Sequence, residues 1–321
     1  MRIMDSRVQP NSSGTDAASV RFHVPEPTAL LDLTMSDGAR IWVRRHGSAS
    51  GPRIVLSHGN GFATDAYFPF WQGLLADFEV IVFDQRNHGW NPCHASGHTQ
   101  QRMADDMEEI LRSIDGEFGS RQTAGAFHSL STTVSLLHAM KYGHQWDALI
   151  LFDPPLAPPP GHRLHQRARD FELLLSQWAA QRQRKFRTTD ELASYFKSTR
   201  RLRQWVPGAA ELMAQTITRP VAGGVELVCP PEFEADIYIQ NSNASAWNAL
   251  PALANELFVI GSDSEGRNAE PPGLVSRALN EDFGIEVVPV RGTGHLLMIE
   301  QPQAVENIFR AHLRKRGFVA A

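Results

Sequence analysis

The chain has 321 residues, of which 42% are hydrophobic and 21% charged, so it is neither disordered nor fibrous and can bury one large core or one core with an inserted subdomain. A formal net charge of -4 leaves no electrostatic footprint for nucleic acid or an anionic membrane, and neither partner is expected. Two cysteines, Cys93 and Cys229, are too few for a disulfide framework or a metal knuckle, which points to a reducing compartment.

Met1 to Val20 are polar and lack the apolar stretch of a signal peptide, and no later stretch has the length of a bilayer span. The expected location is the cytoplasm. Residues 1–28 read as a flexible leader and the approach to the first strand, with the Asn, Ser, Gly and Thr of Gln9 to Ala18 suggesting no chemistry. Apolar bursts then recur between turn signals at Leu30 to Met35, Arg40 to Arg44, Arg53 to Ser57, Glu79 to Asp84, Thr123 to Phe127 and Ala148 to Asp153. Between them, Met103, Met107, Ile110, Leu111 and Ile114 share one helical face. Strand and helix alternate, as in a largely parallel sheet covered by helices.

The third burst, R-I-V-L-S, delivers His58-Gly59-Asn60-Gly61 at its carboxyl end. Glycines there let backbone N–H groups approach a developing oxyanion, and the N–H groups of Asn60 and Leu130 form the expected pair of donors. Tyr67, Phe68, Phe70 and Trp71 follow as the start of a helix that packs the core or walls an apolar pocket. His88, His94 and His98 lie in a Gly/Asn/Pro-containing loop without a Cys or carboxylate at ligand spacing, so no metal is expected.

Thr123 to Leu137 reads T-A-G-A-F-H-S-L-S-T-T-V-S-L-L, an apolar run that breaks at His128-Ser129-Leu130 and resumes with helical spacing. Ser129 therefore falls on a strand-to-helix turn, its hydroxyl exposed beside a helix N-terminus. Serine needs a base near neutral pH. His295, in the glycine-flanked V-R-G-T-G-H loop near the end of the chain, has the imidazole to remove and return the proton. Asp153, Asp263 and Glu265 each follow a predicted strand and compete to orient that imidazole. Ser131 is a second candidate nucleophile.

From Pro154 to about Leu250 the strand rhythm stops, beginning with Pro154-Pro155 and Pro158-Pro159-Pro160 and continuing as helix-like segments. An inserted helical cap over 154–250 is expected, between core segments 29–153 and 251–321. Its basic stretch, with Arg182, Arg184, Lys185, Arg187, Arg200, Arg201 and Arg203, reads as a solvated helical face. Trp178, Phe186 and Trp205 are candidate pocket residues. The strand rhythm resumes at Leu257 to Gly261 and Ile285 to Val290.

Taken together, His58-Gly59-Asn60-Gly61, the Asp84-Gln85-Arg86-Asn87-His88-Gly89 turn, the Ser129 elbow, Asp153-Pro154-Pro155 and Gly294-His295 resemble the α/β-hydrolase superfamily from about Leu31 to the last helix. The resemblance implies an α/β fold with a mostly parallel eight-stranded sheet flanked by helices and carrying a cap. It implies Ser129 as nucleophile and His295 as base, with the acid after the sixth strand, as in some cap-bearing members, or after the seventh. The latter loop, Gly261-Ser262-Asp263-Ser264-Glu265, lacks an acid at the commonest family spacing, which slightly favours Asp153. The elbow departs from the family in placing Phe127, rather than a small residue, two positions before the serine. A side chain of that size must lean into the substrate pocket or relax the turn.

The expected function is cofactor-free cleavage of an ester, thioester or lactone of a mainly apolar small molecule through an acyl-enzyme. Cofactor-free dioxygenase and acyltransferase chemistry use the same fold and stay open. So does a catalytically silent ligand receptor, the reading favoured by Phe127. The family's haloalkane dehalogenases place an aspartate where Ser129 stands.

Overall fold

Four strands whose residues are all buried explain the layering: β3 (Arg53–Ser57), β4 (Glu79–Phe83), β6 (Ala148–Phe152) and β10 (Leu257–Gly261). Such runs need cover on both faces, which a sheet receives when helices make its crossovers. The computed structural model describes residues 21–199, 204–266 and 269–318. The leader segment Gln9 to Ala18 and Arg200, Arg201 and Arg203 lie outside the described residues.

In chain order the core opens with β1 (Ala29–Thr34), β2 (Arg40–Gly47) and β3, then the short helix α1 (Phe68–Trp71) and β4. Helix α2 (Gln100–Phe118), β5 (Thr123–His128), α3 (Leu130–Tyr142) and β6 follow. After the insertion come α8 (Leu250–Leu253), β10, α9 (Pro271–Phe283), β11 (Glu286–Pro289), α10 (Leu297–Glu300) and α11 (Pro302–Lys315). The eight-stranded sheet has the order β1-β2-β4-β3-β5-β6-β10-β11, antiparallel at β1/β2 and β2/β4 and parallel elsewhere. This is the expected mostly parallel sheet.

Alternation along the strands divides the core into two layers. Ile54, Leu56, Val80, Val82, Ile150 and Phe152 face Trp71 of α1 and Phe309 and Leu313 of α11. Val55, Ile81, Leu149 and Leu151 face Met103 and Met107 of α2, Val134 of α3 and Leu279 of α9. The chain passes from β3 to β4 on one side and from β4 back across β3 to β5 on the other, so the sheet order reverses at β3, the kind of switch point beside whose strand ends open α/β sheets build their sites.

Between β6 and α8 the insertion holds α4 (His165–Gln181), β7 (Lys185–Phe186), α5 (Thr189–Ser198), α6 (Ala209–Thr216), β8 (Thr218–Val221), β9 (Gly224–Leu227) and α7 (Pro231–Asn241). It is not purely helical, because β7, β9 and β8 form a small antiparallel sheet. The β8/β9 hairpin turns at Ala222-Gly223, with Val221 opposite Gly224. Strands of two to four residues are too short to show a period, which is why only helices were expected here. The basic residues find acids within the insertion: Arg182 with Glu234, Arg184 with Glu226 and Glu232, and Arg187 with Glu191. Phe186 and Trp205 are buried in the hydrophobic cluster, and Trp178 lies under the Arg182 guanidinium.

Among the described residues, no helix is long and apolar enough to cross a membrane, and no group of three or more His, Cys, Asp or Glu is arranged to hold a metal ion. His88 Nδ1–H donates to the Arg86 carbonyl and Nε2 accepts from the Gly61 N–H, so both ring nitrogens serve the fold.

Candidate active site

The turn after β5 forces Ser129 to φ 51° and ψ -114°, a region where a side chain strains the backbone by about 1–3 kcal/mol. Neighbouring groups hold it there. The Ser129 N–H donates to the Phe152 carbonyl at 3.2 Å, and the Ser129 carbonyl accepts from the Thr132 N–H at 2.9 Å and the Thr132 hydroxyl at 2.6 Å. Gly59 passes close by, and a Cβ on it would lie 2.8 Å from His128 Nδ1 and 3.1 Å from Ser129 Cβ. Only glycine lets the loop after β3 come this near the serine.

Ser129 Oγ lies 3.0 Å from His295 Nε2, and His295 Nδ1 lies 2.7 Å from Asp153 Oδ2. The Asp153 carboxylate accepts the Nδ1 proton, which leaves the Nε2 lone pair to accept from the serine hydroxyl. Asp153 is fully buried, and its other oxygen accepts from the Ser262 N–H at 2.8 Å. Its own N–H donates to the Ile260 carbonyl, and φ of 45° turns its side chain toward the histidine loop. Burial works against the charged imidazole, but the Asp153 hydrogen bond and charge outweigh it and hold the His295 pKa above its ordinary value of 6.5. A hydroxyl bonded to a neutral imidazole that is itself held by a carboxylate can be deprotonated as it attacks a carbonyl.

Of the three competing acids, the structure brings Asp153 alone to His295, which corrects the candidacies of Asp263 and Glu265. Asp263 folds its own loop, accepting from the N–H groups of Glu265, Gly266 and Gly292 at 2.9, 3.0 and 2.9 Å. Glu265 is exposed and pairs with Arg291. Ser131 is also committed elsewhere, donating to the His58 carbonyl at 2.6 Å and accepting from Gln85 Nε2 at 3.1 Å.

Phe127 is a second correction, since it neither enters a pocket nor relaxes the turn. Strand alternation points it to the far side of the sheet, where it is fully buried and packs edge-on against Trp146. Gly125 makes the room, because a Cβ there would sit 2.6 Å from the Phe127 ring. Phe127 is thus a core residue and not a substrate-binding one.

Leu130 is the first residue of α3, where a helix leaves the N–H without a partner of its own, and Asn60 lies between two loop amides. The flanking amides are used: Gly59 N–H donates to Tyr67 Oη, Gly61 N–H to His88 Nε2, and Phe62 N–H to the Gly59 carbonyl. The Asn60 side chain ties this loop to the insertion through Nδ2 and the Glu234 carbonyl at 2.8 Å.

Sequence reasoning missed the part played by Tyr67 and His128. Tyr67 Oη accepts from Gly59 N–H and bonds to His128 Nδ1 at 2.8 Å, while His128 Nε2–H donates to the His295 carbonyl at 2.8 Å. Burial and the neighbouring His295 push the His128 pKa well below 6.5, so the ring is neutral, as these bonds require. The loop beside Ser129 and the loop bearing His295 are therefore joined through a buried relay. The one local signal was a histidine directly before the serine.

The sequence profile of the alpha/beta hydrolase family matches residues 54–308. No curated protein matches the sequence. Solved structures share the fold at low identity. An E-2-(acetamidomethylene)succinate hydrolase aligns with TM-score 0.70 at 20% identity, over 89% of this chain and 100% of that one. The thioesterase domain from the curacin biosynthetic pathway gives 0.67 at 17%, over 88% and 99%, and a thermophilic esterase from Thermogutta terrifontis gives 0.62 at 21%, over 90% and 99%. With the sheet order, the Ser129 turn and a profile match spanning most of the chain in place, the protein belongs to the alpha/beta hydrolase family.

Proposed function

We propose that the protein is a serine hydrolase that cleaves an ester, thioester or lactone through an acyl-enzyme, with residues 154–250 acting as a cap over the site. The observation that carries this reading is the continuous hydrogen-bonded path from Ser129 Oγ through His295 to Asp153, starting at a strained serine backbone. In the first half-reaction Ser129 Oγ attacks the carbonyl carbon as His295 Nε2 takes its proton. The proton then passes to the leaving alcohol, thiol or hydroxyl as the bond to the carbonyl carbon breaks. In the second, His295 takes a proton from water, hydroxide attacks the acyl carbon, and Ser129 leaves with the proton. Asp153 stabilises the imidazolium formed in both halves. The N–H groups of Asn60 and Leu130 are the donors for the oxyanion.

The three structures named above are a hydrolase, a thioesterase domain and an esterase, in keeping with this reaction class. The silent-receptor reading rested on Phe127 and loses its support once that side chain is seen packing on Trp146. Acyl transfer to an alcohol shares the acyl-enzyme and differs only in the acceptor. The discriminating experiment compares wild type and Ser129→Ala on a chain-length series of p-nitrophenyl esters and thioesters, with a heteroaromatic oxygenase substrate alongside. Near-complete loss on the esters and thioesters is expected in Ser129→Ala. Retained turnover of the heteroaromatic compound instead points to oxygenation by the His295–Asp153 pair.

A further inference from the structure

The loop after β3 is gripped from two sides. The N–H groups of Gly59 and Gly61 are held by the core side chains Tyr67 and His88, whereas Asn60 between them is held by the insertion. Asn60 is 2% exposed, and its Nδ2 donates to the backbone carbonyl of Glu234 on α7 at 2.8 Å. A carbonyl can only accept, so the orientation of the amide is fixed, and Oδ1 is left buried with no hydrogen-bond partner among the described residues. An unpaired buried acceptor costs stability, and the bond to α7 is what the buried amide contributes against that cost.

The Glu234 side chain completes the contact. A Cβ on Gly61, which sits at φ 75°, would lie 2.6 Å from Glu234 Oε1, 2.7 Å from its Cδ and 3.0 Å from Oε2, so the carboxylate lies against the loop backbone. Oε2 accepts from Arg182 Nη1 at 2.5 Å, and the Arg182 guanidinium covers the Trp178 ring at the end of α4. Both charged side chains are buried, so solvent screens the pair little. A second buried link joins the same two helices, from Asn241 Nδ2 to Glu172 Oε2 at 3.0 Å. Among the described residues, that link makes no hydrogen bond to the loop after β3.

We propose that Glu234, anchored by Arg182, is a positioning residue for the oxyanion donor: α7 holds the Asn60 N–H where the carbonyl oxygen of the substrate becomes negative. This rests on the serine-hydrolase reading and on Asn60 as one of the two donors. The loop passes so near the nucleophile that a Cβ on Gly59 would lie 3.1 Å from Ser129 Cβ. A small shift of Asn60 therefore changes the distance from its N–H to an oxyanion formed on Ser129, and such a hydrogen bond is sensitive to misplacement. The ground-state ester carries less charge on that oxygen and depends less on the donor. Loosening the contact should thus act on kcat and not on KM.

The test measures kcat and KM for p-nitrophenyl butanoate and the inhibition constant of propyl trifluoromethyl ketone, on variants whose folding is checked by urea unfolding. Ser129 Oγ adds to the ketone carbon, its proton passes to His295, and the ketone oxygen becomes an alkoxide in the place of the oxyanion. Asn60→Ala keeps the backbone N–H and removes the bond to α7; Arg182→Leu removes the anchor of Glu234. In each, kcat should fall about 10- to 100-fold and the inhibition constant should weaken by the same factor, with KM within about twofold. Arg182→Lys should recover most of the loss. Asn241→Leu, which weakens the other link between α4 and α7, should lower stability and leave the inhibition constant within about twofold. Asn60→Ala leaves the buried ion pair intact, so it carries the test if Arg182→Leu does not fold. Unchanged kcat and ketone affinity in folded Asn60→Ala or Arg182→Leu, a loss confined to KM, or an equal loss in Asn241→Leu would each overturn the proposal while the wild-type adduct leaves the serine chemistry standing. A wild type that forms no ketone adduct would instead overturn the serine-hydrolase reading and this one with it.

Discussion

The carboxyl edge of the sheet and the insertion touch where Asn60 Nδ2 donates to the Glu234 carbonyl, but they are built in opposite ways. At the sheet edge, each chemical group follows a strand end by one to three residues: Asn60 after β3, Ser129 after β5, Asp153 after β6. Their positions are dictated by local turns, two of them at positive φ. In the insertion, Glu172, Arg182, Glu234 and Asn241 become neighbours only when α4 packs on α7. Chemistry placed by turns is carried by short segments of chain, whereas chemistry placed by helix packing depends on residues roughly 50 to 70 apart.

The largest expected effects lie at the sheet edge. Ser129→Ala or His295→Ala should lower kcat by about 10⁴-fold or more on any ester the enzyme accepts, measured by steady-state kinetics. Asp153→Asn should cost about 10³–10⁴-fold by favouring the wrong imidazole tautomer. Asp263→Asn should leave kcat within about twofold, because that carboxylate closes its own loop and does not reach His295. If Asp263→Asn were the more damaging change, the assignment of the acid would be wrong.

The proton balance gives a sign that can be checked by pH profile. His295 acts as base only when neutral, and its pKa is held above 6.5, so kcat/KM should rise with pH through a midpoint above 6.5. In Asp153→Asn the raising partner is gone while burial remains, so the residual activity should show its midpoint at lower pH. For stability, a raised folded-state pKa adds stability below the unfolded value of about 6.5 and loses it as pH rises through the folded value.

Intermediate effects belong to the relay that links the two loops. His128→Ala removes the donor to the His295 carbonyl and the partner of Tyr67, and kcat should fall about 10- to 100-fold with little change in KM. Tyr67→Phe, which keeps the packing, should cost less, about three- to tenfold. In the insertion, Arg182→Leu strands the buried Glu234 carboxylate and should lower stability by about 3 kcal/mol, read from urea unfolding of the whole chain. A loss in the core relay larger than that at Asp153 would blur the distinction between turn-placed chemistry and its support.

That distinction also explains what could be read from the residues alone. Strands β3, β4, β6 and β10 were visible because fully buried strands are continuous apolar runs, and the Ser129 and His295 loops were visible because strand ends and glycines punctuate them. The acid was ambiguous, since Asp153 and Asp263 both follow strands. What separates them is the positive φ of Asp153 and its contact with Ser262 N–H, both tertiary outcomes. Phe127 was misjudged because its fit depends on Gly125 and Trp146, the latter some 20 residues away. The small sheet of the insertion and Glu172 were invisible, the first for want of length and the second because a lone glutamate in a helix reads as solvated.

The most direct measurement is the rate of fluorophosphonate modification, with the modified residue located by mass spectrometry. The expected result is a single adduct on Ser129 in folded wild-type protein, formed faster as pH rises through the His295 midpoint and all but lost in His295→Ala. A folded protein that forms no adduct on Ser129, or one whose adduct forms at the same rate without His295, would contradict the serine–imidazole unit on which the proposed chemistry stands.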